Sequence, residues 1–173
     1  MYGDEKRAQI IALTGLFIAL TAAGSLIVIP MVPVPFTLQT LFVLLCGCVM
    51  KRYAAAAISL YVFLGLLGLP VFHQFTSGPG VLLGPTGGYL AGFIIAALIV
   101  GLCYETENKI IRISGLVLGD FAILACGVMW LSFSTGIFIF DAVLAGALPF
   151  LTGDLIKIIL AYIIYSRTGD VYD

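Results

Sequence analysis

The chain has 173 residues, of which 62% are hydrophobic and only 10% are charged, whereas a soluble globular domain is about 25% charged. Several apolar runs approach the roughly 20 residues that cross the hydrocarbon core of a bilayer, so the composition predicts an integral membrane protein. The formal net charge of −1 lacks the basic excess that favours nucleic acid as a partner.

Prolines and charged turns divide the chain into six apolar segments, which we predict to form one transmembrane domain over residues 1–173. The segments lie at about 8–29, 37–50, 54–69, 87–104, 113–131 and 149–165. A long connection at 70–86 and a semi-polar stretch at 132–148 separate the later segments. The fold class predicted is therefore an all-α integral membrane protein with six transmembrane helices.

The positive charges predict how these segments are oriented. With six spans, all of the eight Lys and Arg residues except Lys157 fall on the side that holds both termini. They are Lys6, Arg7, Lys51, Arg52, Lys109, Arg112 and Arg167. Because Lys and Arg favour cytoplasmic loops, both termini are predicted to be cytoplasmic. The connections 30–36, 70–86 and 132–148 then face outward, and apolar side chains in 70–86 predict a folded cap.

In chain order, the first candidate surface is a stripe of small residues on the first segment. Ala8, Ala12, Gly15, Ala19 and Ala22 are spaced by four, three, four and three residues, which places them on one face of a helix. Small side chains let helices pack closely in lipid. The stripe predicts a close helix contact, either within the bundle or with another protein subunit.

Two polar motifs lie where later segments begin on the outer side. The Gln39 amide can donate and accept hydrogen bonds, either to a ligand or to a neighbouring helix. In GPTGGY (84–89), Pro85 and Thr86 favour a helix start with Thr86 as its cap. The exposed N–H groups of that helix start suit a carboxylate. A tight turn with close packing at the glycines is the alternative, and composition alone favours it.

Other reactive side chains form no recognisable catalytic or metal-binding cluster in the sequence. All four cysteines lie in apolar segments and are expected to pack as small apolar groups. His73 is the single histidine and lies in a loop. We therefore predict no enzymatic activity, no metal and no cofactor. Asp120 and Asp141 are expected to pair with polar groups inside the bundle, the alternative being a proton or ion relay.

The last segment carries an acid and a base three residues apart, Asp154 and Lys157, which project from the same helix face. A charge near the bilayer centre costs at least ~3 kcal/mol, so such residues usually face a cavity or a partner. Counted from the outer end of the segment, they lie roughly 7 and 12 Å deep. That depth predicts an outward-facing pocket beneath the 70–86 cap, and a purely structural ion pair is the alternative.

Four stretches of sequence together carry a resemblance to a known family: PVPFTLQTLFVLL (33–45), LLGLPVF (66–72), GVLLGPTGGYLAGF (80–93) and PFLTGDLIKIILA (149–161). Over nearly its whole length the chain resembles the BioY family, the biotin-specific substrate-binding (S) components of energy-coupling-factor (ECF) transporters. The resemblance implies an S-component-like bundle in the plasma membrane of a prokaryote. It also implies high-affinity uptake of biotin through an outward-facing pocket.

The resemblance implies roles for individual residues. In the family, the Asp and Lys of the last helix contact biotin, and these are Asp154 and Lys157 here. The family also uses the outer loop and the start of the fourth helix, which adds a second set of candidates beside Gln39. This set is Thr76, Ser77, Gly87, Gly88 and Tyr89. Some members carry Asn in that loop and Arg after the GGY tyrosine, where this chain has Thr76 and Leu90. Gln74, Thr76 or backbone groups are therefore expected to replace those ligand contacts.

The resemblance also implies partners. S components dock a membrane coupling subunit through small residues of the first helix, so Ala8, Ala12, Gly15 and Ala19 become its expected contacts. The chain has no G-x-x-x-x-G-K-[ST] motif, so two separate ABC-type ATPase subunits are expected to supply the energy. The alternative function is an S component for another small vitamin such as thiamin, because the altered loop residues leave the ligand open.

Overall fold

The computed structural model describes residues 2–168, so residue 1 and residues 169–173 of the predicted domain lie outside the described residues. The chain is mostly helical, as predicted. The elements are α1 (Tyr2–Leu26), β1 (Val28–Ile29), β2 (Phe36–Thr37), α2 (Gln39–Met50), α3 (Ala54–Leu66), α4 (Pro79–Leu83), α5 (Gly87–Cys103), α6 (Lys109–Thr135), α7 (Ile139–Gly146) and α8 (Leu151–Thr168). Short 3₁₀ turns lie at Lys51–Tyr53 and His73–Phe75.

Within the described residues, a helix lies at each of the six predicted segments, but the helix ends differ from the ends of the apolar runs. Helix α1 begins at Tyr2 rather than at residue 8, because exposed charged residues continue the helix beyond its apolar part. Helix α6 begins at Lys109, where the Asn108 side chain accepts a hydrogen bond from the Ile110 N–H at 2.9 Å. Apolarity therefore locates the helices, whereas caps and turns set their ends.

Helix length and apolarity alone identify fewer spans than the six predicted. Among the described residues, 4–26, 39–66 and 109–135 are each long and apolar enough to cross a bilayer. Helices α7 and α8 qualify as a fourth span if taken together across a bend of 54°. The stretch 39–66 includes both α2 and α3. It counts as one span if the two helices are continuous and as two spans if the chain reverses between them.

Helices α2 and α3 fold back on each other and do not form one straight helix. The Gln39 side chain in α2 donates from Nε2 to the Tyr61 hydroxyl in α3 at 2.6 Å. In a continuous helix these residues, 22 positions apart, would be about 33 Å apart along the axis. The chain reverses at Lys51, whose φ of 52° is incompatible with a continuing helix. Each arm is shorter than the roughly 20 residues of an ordinary span.

The outer faces of the helices are apolar. Large side chains such as Ile110, Phe121 and Ile156 are 75%, 65% and 59% exposed. So many exposed aliphatic and aromatic residues on several helices are far beyond the single apolar patch of a typical soluble monomer. The exterior is that of a protein surrounded by lipid.

The basic residues gather at one end of the bundle, which we call the basic end. Lys6 in α1 and the turn at Lys51–Tyr53 line a common cavity with Glu105, which follows α5. The Arg52 Nη2 donates to the Glu105 carboxylate at 2.9 Å. Arg112, near the start of α6, lies 5.5 Å from the ring centroids of Tyr104 and Tyr165. The ends of six helices therefore meet here, and these basic residues share one end, as the charge pattern predicted.

Candidate functional site

A cavity opens at the end of the bundle opposite the basic end. Its enclosed volume is about 60 Å³, and the space between its walls, counted with the part open to solvent, is about 570 Å³. Strand β2, the cap and helices α2, α5, α6 and α8 contribute to its walls. The lining residues are Val34, Pro35, Phe36, Thr37, Gln39, Thr40, Phe72, His73, Thr86, Tyr89, Leu90, Phe93, Ile123, Leu124, Phe150, Asp154 and Lys157.

A buried ion pair forms the strongly polar part of this wall. Asp154 and Lys157 are each only 3% exposed, and Lys157 Nζ donates to Asp154 Oδ1 at 2.8 Å. Lys157 Nζ also lies 3.7 Å from the centroid of the Phe36 ring, a cation–π contact. Because an ammonium has three N–H donors and a carboxylate accepts several bonds, both groups retain capacity for a ligand. The pair is a structural ion pair and also part of the cavity lining.

Aromatic rings form the apolar wall beside the ion pair. The Phe36 and Phe150 rings stack with centroids 5.8 Å apart, and Tyr89 meets Phe150 edge-on at 6.5 Å. Tyr89 is fixed by its hydroxyl, which donates to the Gly146 carbonyl at 2.6 Å. A Cβ at Gly127 would lie 2.2 Å from the Tyr89 ring, so this glycine provides the space for the ring. The result is a set of flat apolar surfaces next to a charged pair.

Phe36 reaches the cavity because the proline-rich connection folds into a hairpin. Strands β1 and β2 pair antiparallel, with Ile29 opposite Phe36. On the other side, a Cβ at Gly153 of α8 would lie 2.3 Å from the Phe36 ring. The absence of a side chain at Gly153 therefore lets the ring lie over Lys157. The sequence stretch 33–45 and the last helix meet at this contact.

Gln39 joins the cavity wall to the cap through a chain of hydrogen bonds. Its Oε1 accepts from the Thr37 hydroxyl at 3.0 Å, and its Nε2 donates to Tyr61 Oη at 2.6 Å. Tyr61 Oη in turn donates to the Val71 carbonyl at 2.8 Å. Gln39 thus connects α2 to α3, which is one of its two predicted roles. It also lines the cavity, where the other predicted role, a bond to a ligand, is possible. One amide N–H is not used by these bonds.

The connection 70–86 is a folded cap, as predicted. Phe72 is 1% exposed and its carbonyl accepts from the Ser25 hydroxyl at 3.2 Å. At the other end of the cap, Trp130 Nε1 of α6 donates to the Gly84 carbonyl at 2.9 Å. A Cβ at Gly65 would lie 2.1 Å from the Phe72 ring, so α3 leaves space for this cap residue. The cap is fixed to α1, α3 and α6.

His73 lines the cavity, although its position in a loop of the sequence predicted no role for it. It belongs to the short 3₁₀ turn of the cap, and its carbonyl accepts from the Thr76 hydroxyl at 2.7 Å. Partial burial lowers the pKa of His73, so at neutral pH the ring is mostly neutral and offers one N–H donor and one acceptor. It is therefore a further polar group available to a ligand.

The predicted ligand contacts divide into two groups. Asp154, Lys157, Gln39 and Tyr89 line the cavity. The other four, Thr76, Ser77, Gly87 and Gly88, are not among its lining residues.

The two glycines have clear packing roles. A Cβ at Gly87 would lie 1.7 Å from the Leu82 carbonyl oxygen, and a Cβ at Gly88 would lie 2.2 Å from Trp130 Cβ. Thr86 precedes α5, but its side chain makes no capping bond, so that prediction was wrong. Its backbone is already helical there, with φ −91° and ψ −8°, which differs from the extended conformation of a capping residue.

The apolar lining was not identified from the sequence. Phe72, Phe93 and Phe150 come from different parts of the chain, and Ile123 and Leu124 come from the middle of α6. In a membrane protein, lipid-facing and cavity-facing residues have the same apolar composition, so periodicity does not separate them. One lining position could have been indicated by the sequence, because Leu90 stands where some family members carry Arg, and Leu90 is part of the lining.

The small-residue stripe on α1 lies on the outside of the bundle. Ala8, Ala12, Gly15 and Ala19 are all exposed, and a Cβ at Gly15 would meet no atom within 4 Å. The alternative of an internal contact is therefore wrong for these four residues, whereas Ala22, the last residue of the stripe, is half-buried against the core.

The two remaining acids do not pair as expected. Asp141 on α7 is exposed. Asp120 on α6 is only 7% exposed, and its Oδ1 has no hydrogen-bond partner among the described residues. A buried polar atom without a partner is rare enough to need an explanation.

Comparison with known proteins identifies close relatives. The sequence model of the BioY family matches residues 3–173. The biotin transporter BioY of Thermotoga maritima is 44% identical over 158 residues, which cover 88% of this chain and 91% of that protein. The probable biotin transporter BioY of Pyrococcus horikoshii is 39% identical over 162 residues, with 93% and 96% covered. These relatives are transporters, which agrees with the prediction that the chain is not an enzyme.

A solved structure shows the same fold. The crystal structure of the S-component for biotin from an ECF-type ABC transporter matches with a TM-score of 0.85 and 25% sequence identity. The match covers 95% of this chain and 92% of that chain. The helical bundle described above is thus similar to an ECF S component over nearly its full length.

Proposed function

This chain belongs to the BioY family, and we propose that it is the biotin-binding S component of an ECF-type uptake transporter. The observation that carries the proposal is the buried ion pair of Asp154 and Lys157 in the wall of a largely apolar cavity. Charged residues are rare at such depth in a membrane protein, and those that occur usually mark a functional site. Biotin is inferred as the ligand because the close relatives are named biotin transporters.

The cavity chemistry matches the parts of biotin. Biotin has a polar ureido ring fused to an apolar sulfur-containing ring, and an aliphatic chain that ends in a carboxylate. The Asp154 carboxylate can accept ureido N–H bonds, and the Lys157 ammonium can donate to the ureido oxygen or to the carboxylate. Phe36, Tyr89 and Phe150 offer flat surfaces for the rings. In this arrangement the ligand satisfies the unused donors and acceptors of the pair.

Equilibrium binding of labelled biotin to the purified protein tests this proposal. We expect tight binding without any partner subunit, because the cavity walls come from one chain. An excess of unlabelled biotin displaces the label, and an equal excess of thiamin does not. Absence of biotin binding by the folded protein contradicts the proposal, and displacement by thiamin supports an S component for another vitamin.

The proposed membrane arrangement has six spans, formed by α1, α2, α3, α5, α6 and α8, in the plasma membrane of a prokaryote. The basic end faces the cytoplasm together with both termini, and the cavity faces outward. The clustering of Lys6, Lys51, Arg52 and Arg112 supports this orientation. The short arms α2 and α3 count as separate spans because the chain reverses between them.

Labelling of intact cells tests the orientation. In a chain whose native cysteines are replaced by alanine, we introduce Ser77→Cys in the cap or Glu107→Cys at the basic end. A membrane-impermeant maleimide is expected to label the first variant in whole cells and the second only after lysis. The opposite pattern means that the orientation is reversed.

The exposed stripe on α1 is the proposed contact with a membrane coupling subunit, through which two ABC-type ATPases supply energy. Ala8, Ala12, Gly15 and Ala19 leave a shallow groove that allows close approach of another helix. No other residue within 2–168 fills the groove at Gly15. Docking there leaves the cavity, at the far end of the bundle, free for ligand.

Substitution in the stripe separates docking from ligand binding. Ala12→Leu and Ala19→Leu should leave biotin binding unchanged and reduce uptake by the assembled transporter. Ala56→Leu, the same change at an exposed alanine of α3, is the control and should affect neither. Unchanged uptake in both stripe variants means that the coupling subunit docks elsewhere.

A further inference from the structure

Asp120 is a buried acid that the proposed ligand contacts do not use. It lies on α6 one turn below Ile123 and Leu124, which line the cavity. It is 7% exposed, and its Oδ1 makes no hydrogen bond to any described residue. An ionised carboxylate in this situation lacks the hydrogen bonds that normally offset the free energy of burying a charge.

The charges around Asp120 do not balance if all of them are ionised. Asp154 and Lys157 line the same cavity as Ile123 and Leu124, which lie one turn from Asp120 on α6. Lys157 already donates to Asp154 at 2.8 Å and contacts the Phe36 ring. Two carboxylates and one ammonium leave one negative charge without compensation in a poorly solvated place, which is strongly unfavourable.

Other groups packed around α6 do not supply the missing positive charge. Helix α5 has no Asp, Glu, His, Lys or Arg, and its titratable groups are Tyr89 and Cys103. Helix α2 has only the buried thiols of Cys46 and Cys48 as titratable groups. On α7, Asp141 is a further acid and is exposed. The nearest basic residue on α6 itself is Arg112, eight positions or about 12 Å away along the helix, where it contacts Tyr104 and Tyr165.

We propose that Asp120 holds a proton at neutral pH, with or without ligand in the cavity, and that loss of this proton weakens ligand binding. A neutral Asp120 leaves Asp154 and Lys157 as a balanced pair whose remaining donors and acceptors face the ligand. An ionised Asp120 competes for Lys157 and adds negative charge below the cavity. This inference rests on the proposed binding of biotin, whose own carboxylate is also repelled by that charge.

The Asp120→Asn variant tests the ligand part, because asparagine has nearly the shape of the neutral acid and cannot ionise. Between about pH 5.5 and pH 9, wild-type affinity for labelled biotin should fall roughly three- to tenfold. Asp120→Asn should lack this fall in affinity and should bind more tightly than wild type at the alkaline end. Asp141→Asn removes the exposed acid on α7 and should follow the wild-type curve.

Infrared difference spectroscopy tests the proton itself and needs no ligand. A protonated carboxyl group gives a carbonyl stretching band separate from the amide bands. The band should be present at neutral pH in wild type and in Asp141→Asn, and absent in Asp120→Asn.

Any of three results overturns the inference: the band is missing in wild type, Asp120→Asn binds more weakly than wild type at the acid end, or the pH dependence is the same in both proteins. If wild type binds no biotin at any pH, the proposed function fails, and the infrared band still decides whether Asp120 is protonated.

Discussion

Replacement of Gly153 by alanine should weaken ligand binding without touching a polar group of the site. The Cβ of the new residue would lie 2.3 Å from the Phe36 ring, so the ring must move. That ring lies 3.7 Å from Lys157 Nζ and stacks on Phe150 with centroids 5.8 Å apart. Loss of the cation–π contact costs about 0.5–2 kcal/mol, and loss of the stacked pair about 0.5–1.5 kcal/mol.

We expect a free-energy loss on binding of about 1–2 kcal/mol for Gly153→Ala, or roughly 5- to 30-fold in Kd. The fold itself should survive, because alanine favours a helix over glycine by about 0.5–1 kcal/mol. Gly15→Ala is the matched control, since a Cβ at Gly15 meets no atom within 4 Å. Isothermal titration with biotin measures both variants.

A double-mutant cycle with Phe36 identifies the cause. In a Phe36→Ala background the alanine at residue 153 has no ring to displace, so its additional cost should be small. If Gly153→Ala binds like wild type, or if the two changes simply add, Phe36 does not orient Lys157 in the way described.

Three further changes test the cap and the basic end. Tyr61→Phe removes the hydroxyl that donates to the Val71 carbonyl, so biotin should dissociate severalfold faster in stopped-flow release experiments. An unchanged rate means that this bond does not hold the cap closed. Gly65→Ala displaces the Phe72 ring from its place against α3 and should lower the affinity for biotin, as measured by titration. Equal affinity means that the ring relocates without effect on the cavity. Glu105→Gln removes an exposed ion pair at the basic end. It should change neither biotin binding nor the Tm, since surface ion pairs contribute little to stability. A loss of binding indicates coupling between the two ends of the bundle.

The polar part of the site could be predicted because charge is rare in an apolar chain. Asp154 and Lys157 were identified by their spacing and by the energetic cost of their surroundings, and both line the cavity. Their contact with Phe36 was not predictable, because it depends on the β1–β2 hairpin and on the space at Gly153. Contacts between residues far apart in sequence require the packing to be known.

Polar residues of the cap were harder to place than those of the last helix. Thr76 and Ser77 were chosen by resemblance, whereas the structure places His73 in the cavity wall. The cap folds through a 3₁₀ turn in which Gln74 and Phe75 have positive φ angles of 53° and 59°. Such a turn follows no periodicity, so the sequence could not indicate which of its side chains point inward.

The helix count shows a similar limit. Apolar runs marked each helix, but the reversal at Lys51 depends on one unusual φ angle. Glycines in GPTGGY were predicted either to bind ligand or to allow close packing, and the space next to Gly87 and Gly88 is filled by Leu82 and Trp130. Composition favoured that second role before the structure was known.

The most direct measurement of the central claim is biotin affinity in variants of the ion pair. Hydrogen bonds to charged groups contribute about 1.5–3 kcal/mol, so Asp154→Asn and Lys157→Met should each raise Kd by roughly 10- to 100-fold. Thermal unfolding in the same detergent establishes that each variant is folded. If both folded variants bind biotin as tightly as wild type, the pair is only structural and the ligand lies elsewhere.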